Sequence, residues 1–173
     1  IGIPEARIHK ITPGVDCDRF RPQPPDETIV REFDLKGKTV LMTAGRLVPR
    51  KNQSTVIQAV GQLVREHRDL RYLIVGDGTE RQSLEQLVEQ LGLKDVVTFV
   101  GEVSNQRLSN FYNLCDVFVL ANREMHDGDI ESFGMVFVEA NAVGKPVIGG
   151  RSGGTAEAIL HGVTGFLVNP EDV

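Results

Sequence analysis

The sequence predicts an α/β fold, a Rossmann-like, doubly wound parallel sheet. Two observations carry the prediction. Six short stretches rich in Val, Ile, Leu and Phe are apolar along nearly their whole length, as strands buried on both faces are. Stretches with apolar residues three and four apart alternate with them, as crossover helices do.

Taken in order, the first 26 residues stand apart. They carry a possible short strand at Ile8–Ile11, a Pro-Gly turn and a proline-rich tether, and are expected to be an interdomain linker or hinge (1–26) ahead of one domain (27–173). "KTVLMTAG" (38–45) reads as the first buried strand and "NQSTVIQAVGQLVREH" (52–67) as a helix with Val56, Ile57, Val60, Leu63 and Val64 on its apolar side. "RYLIVGDG" (71–78) is the next strand, followed by a helix from Thr79 to Gly92. "DVVTFVG" (95–101) and "DVFVLA" (116–121) are strands flanking a helix at 104–115. "ESFGMVFVEANAVG" (131–144) holds a helix with Ser132 as its expected N-cap, and 145–150, 155–162 and 164–170 give strand, helix and strand. "NPEDV" reads as the start of a further helix, which suggests a piece of a longer protein.

Composition removes several function classes. A formal charge of −5 argues against a nucleic-acid surface, and no apolar run approaches the ~20 residues of a membrane helix. No signal-peptide pattern opens the chain, and Cys17 and Cys115 stand far apart without a metal-ligand cluster. A cytoplasmic protein with two incidental thiols is expected.

Doubly wound sheets bind ligands at the carboxyl ends of their strands, so the chemistry belongs to the loops there. "GRLVPRKN" puts Arg46 and Lys51 on the loop after the first strand, with Gly45 allowing a sharp exit and Arg50 expected to be solvated. A guanidinium fork and an ammonium suit a diphosphate, whereas a solvated basic loop is the plain alternative. An N-cap at Ser132 would leave the amides of Phe133, Gly134 and Met135 free as an anion site. Glu131 would then sit at the mouth and Glu139 two turns into the helix, roughly 12 Å away at the usual rise. Glu139 either pairs with an internal cation or faces a ligand. A ligand with hydroxyls at both ends and a diphosphate between them, a nucleotide sugar, fits that layout.

"GRLVPRKN" followed by "ESFGMVFVEA" resembles the Arg/Lys pair and E-x7-E motif of retaining GT-B glycosyltransferases of family 4. "PGVDCDRF" is similar to their interdomain link, with Pro13 where that family usually has Asn. "LIVGDGTE", "FVGEV" and "GKPVIGGRSGGTAEAILHGVTGFLV" resemble their remaining motifs, in the same order. The resemblance implies the C-terminal, donor-binding domain of such an enzyme. By it, Arg46 and Lys51 neutralise the leaving diphosphate, and the backbone from Ser132 through Phe133, Gly134, Met135 and Val136 holds phosphate and sugar. Glu139 binds the ribose, Glu131 the donor sugar near its anomeric carbon, Gly45 opens the loop, and Gly101 and Val103 flank the base.

The branch with bacterial phosphatidylinositol mannosyltransferases is the most similar, which implies GDP-mannose as donor and a lipid or glycan acceptor. A UDP-sugar of the glucose type, or a non-catalytic nucleotide-binding module, is the alternative. The acceptor-binding N-terminal domain would be missing, so this stretch alone is expected to transfer little. Any peripheral contact with the inner membrane face would come from that half. No cofactor and no metal are expected, although Asp127 and Asp129 form a D-x-D beside His126. A dinucleotide oxidoreductase is disfavoured because G-x-G-x-x-G is missing after the first strand.

Overall fold

A computed structural model describes residues 2 and 4–173. Strands β1 (Thr39–Ala44), β2 (Leu70–Val75), β3 (Val97–Gly101), β4 (Val117–Leu120), β5 (Val147–Gly150) and β6 (Gly165–Val168) form one sheet in the order β3-β2-β1-β4-β5-β6. Every neighbouring pair is parallel, so each connection must cross a face. Helices α1 (Glu27–Glu32), α2 (Gln53–Leu63), α3 (Arg81–Gln90), α4 (Asn105–Leu114), α5 (Met135–Ala142) and α6 (Thr155–Ala158) lie between.

Two cores result, one on each face. Val56, Ile57 and Val60 of α2 join Leu84 and Val88 of α3 over Tyr72 and Ile74. Ile29 of α1, Phe111 and Tyr112 of α4 and Phe137 of α5 pack over Met42, Phe118 and Leu120. The rings interlock edge to face, Phe118 with Phe137 at 5.7 Å and Phe20 with Tyr112 at 5.7 Å. Each fully buried ring stabilises the fold by roughly 1.5–3 kcal/mol of transfer free energy. The chain winds from β1 out to β3, returns through α4, and winds the other way from β4 to β6. The reversal between β1 and β4 positions the site.

The expected elements differ from the observed ones in several places. Ile8 and Ile11 are 61% and 88% exposed in an irregular segment, so no strand forms at 8–11. Helix α1 was not foreseen. Asp26 caps it by accepting from the amide of Thr28 at 2.9 Å, and also accepts from Asn110 at 3.0 Å. The tether before it docks onto α4: Phe20 is buried, and Asn113 accepts from the amide of Gln23 at 2.7 Å and donates to the carbonyl of Arg21 at 3.1 Å. Helix α2 ends at Leu63, short of His67, and α6 spans only Thr155–Ala158 because Ile159 turns extended to bury its side chain.

The expected N-cap at Ser132 is also displaced. Helix α5 starts at Met135, and its N-cap is Gly134 with φ of 88°. Only a residue without a Cβ takes that conformation without strain, and a Cβ there would lie 2.6 Å from the Phe137 ring. Ser132 is exposed, in a loop ahead of the helix. Among the described residues no helix is long and apolar enough to cross a membrane.

Candidate active site

The loop after β1 (45–52) leads to α2 on one face, and the loop after β4 (121–134) leads to α5 on the other. Where such loops diverge, a crevice opens at the strand ends. Here it is a cleft of about 360 Å³ lined by Ala44, Gly45, Val75 and Gly76 from the strand ends, Val103 and Leu108 before and within α4, and Val136 of α5. Its charged lining groups are Arg46, Asp77, Glu102 and Glu139. That size lies at the lower end of small-molecule sites.

Glu139 is half-buried, and its Oε2 accepts the phenolic O–H of Tyr112 at 2.8 Å. Burial first, and the facing Glu139 carboxylate second, hold the Tyr112 phenol well above its ordinary pKa, so it stays a neutral donor. Among the described residues no cation pairs with Glu139. Glu139 is oriented by a phenol and lines the cleft.

Beside the cleft lies a denser cluster. Oε2 of Glu131 accepts from Lys51 Nζ at 2.5 Å and from Arg50 Nη1 at 2.9 Å. Their side chains are 10%, 14% and 12% exposed for Lys51, Arg50 and Glu131, so water screens this group poorly. Arg50 Nε also reaches Asp129 Oδ2 at 3.2 Å. Burial pushes the Glu131 pKa up, but the bonds and charges of Lys51 and Arg50 outweigh it and leave the carboxyl below its usual range. Glu131 is therefore ionised at neutral pH.

The same two loops are stitched by main chain. The carbonyl of Arg50 accepts from the amide of Arg123 at 2.8 Å, and Asn52 Nδ2 donates to the carbonyl of Ala121 at 3.1 Å. Behind Glu131, the amide of Gly154 donates to its carbonyl at 2.8 Å. A Cβ on Gly154 would lie 2.0 Å from the carbonyl oxygen of Ser132, so the loop after β5 closes on 131–133 only with glycine there.

Five of the residues singled out from sequence, Gly45, Arg46, Val103, Val136 and Glu139, line one cleft. Gly101 ends β3 and bridges to Gly76, a lining residue. Lys51 and Glu131 form the adjoining pair, and the Lys51 stem passes Gly45, its Cε 3.9 Å from where a Cβ would stand. Exposed Ser132, half-buried Phe133 and buried Gly134 make the turn into α5, and Met135 opens the helix. Since Glu131 precedes that helix, the helical-rise separation of the two glutamates does not hold. The expectation that Arg50 is solvated is overturned by its part-buried pairing with Glu131.

Residues 26–173 match the family model described as glycosyl transferases group 1. The chain belongs to the group 1 glycosyl transferases. It is 38% identical over 172 residues to the GDP-mannose-dependent alpha-(1-6)-phosphatidylinositol monomannoside mannosyltransferase of Mycolicibacterium smegmatis, covering 98% of this chain and 45% of that protein. The chain thus spans about half the length of the curated relatives it matches. Among solved structures it is similar to Anabaena HepE in complex with UDP and glucose, with a TM-score of 0.81, 29% identity and coverage of 92% of this chain and 42% of that one. The C-terminal domain of the group 1 family protein LpcC from Francisella tularensis matches with a TM-score of 0.74 and 26% identity, over 92% of this chain and 82% of that one. The resemblance drawn from the motifs therefore holds.

Sequence reasoning missed two residues of this group 1 domain. Tyr112 reads as one more core aromatic on α4, and nothing local reveals that its hydroxyl meets Glu139 on another helix. Arg50 lies 81 positions from its partner Glu131, and the only hint was its place beside Lys51. In the D-x-D loop Asp127 Oδ1 accepts from the amide of Asp129 at 3.1 Å, and Asp129 pairs with Arg50. Among the described residues no group of three or more His, Cys, Asp or Glu side chains is placed to hold a metal ion.

Proposed function

We propose that this domain binds a nucleotide sugar in the crevice between β1 and α5, as the donor half of a retaining glycosyltransferase. The observation that carries it is the convergence of Arg46 and Glu139 on one cleft, with the Lys51–Glu131 pair adjoining. Glycosyl transfer breaks the bond between C1 of the sugar and the phosphate oxygen. Negative charge grows on the departing diphosphate and positive charge at C1. Arg46 and Lys51, with the first-turn amides of Met135 and Val136 that no intrahelical acceptor can satisfy, oppose the first. The ionised Glu131 stabilises the second, Glu139 accepts the ribose hydroxyls, and Gly101 and Val103 border the base.

GDP-mannose is the donor favoured here, because the 38%-identical relative is named as GDP-mannose-dependent. A UDP-sugar is the second reading, since the similar HepE is solved with UDP and glucose. In this account Arg46 and Lys51 supply the charge that a divalent ion supplies elsewhere, and no metal takes part. The acceptor, lipid or glycan, binds to a separate N-terminal half, so this chain alone binds donor and transfers little. The reaction belongs in the cytoplasm, at the inner membrane face for a lipid acceptor.

Calorimetric titration of the chain with GDP-mannose, UDP-glucose and NAD in EDTA tests the reading. Saturable binding of GDP-mannose is expected, and binding of UDP-glucose alone moves the donor to the second reading. Binding of NAD alone overturns the nucleotide-sugar assignment. Dependence on added Mg or Mn overturns the metal-free account and turns attention to Asp127 and Asp129.

A further inference from the structure

Lys51 is asked to neutralise a diphosphate, yet its amine is already bonded to Glu131 at 2.5 Å in a site 10% exposed. An ammonium held by a carboxylate offers a phosphate only part of its charge. If it swings away, the carboxylate stays behind, and a buried carboxylate without a partner is strongly unfavourable. The swap is feasible only if another cation keeps Glu131 company. Arg50 is placed to do so, because its Nη1 binds the same Oε2 at 2.9 Å.

Everything around Arg50 fixes it there. Pro49–Lys51 forms a single 3-10 turn, the Arg50 carbonyl accepts from Arg123, and its Nε is held by Asp129. The guanidinium thus spans two carboxylates of the loop after β4, while its main chain is tied to the start of that loop. A planar fork of five donors holds both at once in a fixed geometry, whereas an ammonium is a point charge on a flexible stem. Lys51 differs: its Cε lies beside Gly45, which itself lines the cleft, so a small swing turns its amine from Glu131 toward a ligand.

We propose that Arg50 is a positioning residue that retains Glu131 in place while Lys51 exchanges the carboxylate for the donor's diphosphate. The proposal rests on the nucleotide-sugar reading and adds a residue and an exchange to it. Glu131 then does not drift with the departing lysine, and the same carboxylate remains available to the sugar.

The test is a double-mutant cycle on the 173-residue chain, titrated with GDP, UDP and the matching nucleosides. Arg50→Gln should weaken diphosphate binding about tenfold, with nucleoside binding unchanged. Glu131→Gln should tighten diphosphate binding, because the lysine is released. In the Glu131→Gln background, Arg50→Gln should change affinity by no more than about twofold. Arg50→Lys should recover most of the loss, since a cation beside Glu131 is kept.

An equal loss in both backgrounds would mean that Arg50 touches the phosphates itself, which overturns the positioning role. So would an unchanged affinity in Arg50→Gln, or an equal loss of nucleoside. If Arg50→Gln does not fold, Asp129→Ala, which removes only the partner of the guanidinium Nε, carries the test. A several-fold loss specific to the diphosphate supports the role, and no loss overturns it. A wild-type chain that binds neither diphosphate overturns the nucleotide-sugar reading itself, which separates that failure from this one.

Discussion

Tyr112→Phe isolates what orients Glu139. The substitution keeps the ring, and with it the edge contact to Phe20 at 5.7 Å and the tilted contact to Phe118 at 5.5 Å. Only the O–H···O bond to Glu139, 2.8 Å long, is lost. A hydrogen bond to a charged group contributes about 1.5–3 kcal/mol, and partial exposure of Glu139 argues for the lower end, so a loss of about 1.5 kcal/mol is expected. For a chain of this length that lowers Tm by roughly 3–6 °C at about 2–4 °C per kcal/mol. Freed from the phenol, Glu139 samples rotamers that no longer face the cleft, and under the proposed ribose role nucleoside affinity should fall about fivefold. Differential scanning calorimetry and titration with guanosine and uridine, side by side, read the two effects. A lower Tm with unchanged nucleoside affinity would refute the claim that Tyr112 aims Glu139 at the ligand. It would leave Tyr112 as a core residue whose hydroxyl happens to be satisfied.

Gly134→Ala forces an L-residue to φ of 88° and sets its Cβ 2.6 Å from Phe137, so a destabilisation of about 2–3 kcal/mol should appear in denaturant unfolding. Glu131 has a folded pKa below its ordinary 4.5, so its stabilising contribution is complete above that value and is lost as pH falls through the lower folded pKa. Melts between about pH 5 and about pH 3 should show wild type losing more Tm than Glu131→Gln, and parallel curves would contradict the ion-pair account. Cys17 is exposed, whereas Cys115 is buried and its thiol is pushed up to about 12, by burial first. At neutral pH a thiol reagent should therefore modify only Cys17 in the native chain, and both cysteines in denaturant. Rapid labelling of two thiols in the native chain would contradict the packing around α4.

The sheet was legible because its inner strands are covered on both faces, and that requirement writes a continuous apolar run into the sequence, as in Leu70–Val75; at the edge strand β6 Phe166 is exposed. The site's backbone was legible for a similar reason, since Gly45, Gly101 and Gly134 mark places where the chain must turn. Side-chain pairing was not. Whether Arg50 is solvated depends on Glu131, which the fold brings across the switch point from 81 positions away. Helix α1 was hidden because Pro24 and Pro25 precede a run of only six helical residues, too short for a periodic pattern. Ser132 satisfied the local rule for an N-cap, but the close approach of Gly153 and Gly154 to 131–133 occupies that turn, and the N-cap falls at Gly134. Local signals place elements, whereas long-range contacts decide their ends and their charges.

The central claim is that the crevice at the switch point holds a nucleoside diphosphate, and amide chemical-shift mapping tests it most directly. At 19.1 kDa the isotopically labelled chain is well suited to solution NMR. Titration with GDP or UDP in EDTA should shift the amides of Gly45, Arg46, Gly101, Val103, Met135 and Val136, and leave those of Lys145 and Thr164, at the opposite end of the sheet, unmoved. Shifts confined to that opposite end, or none at saturating nucleotide, would contradict the account.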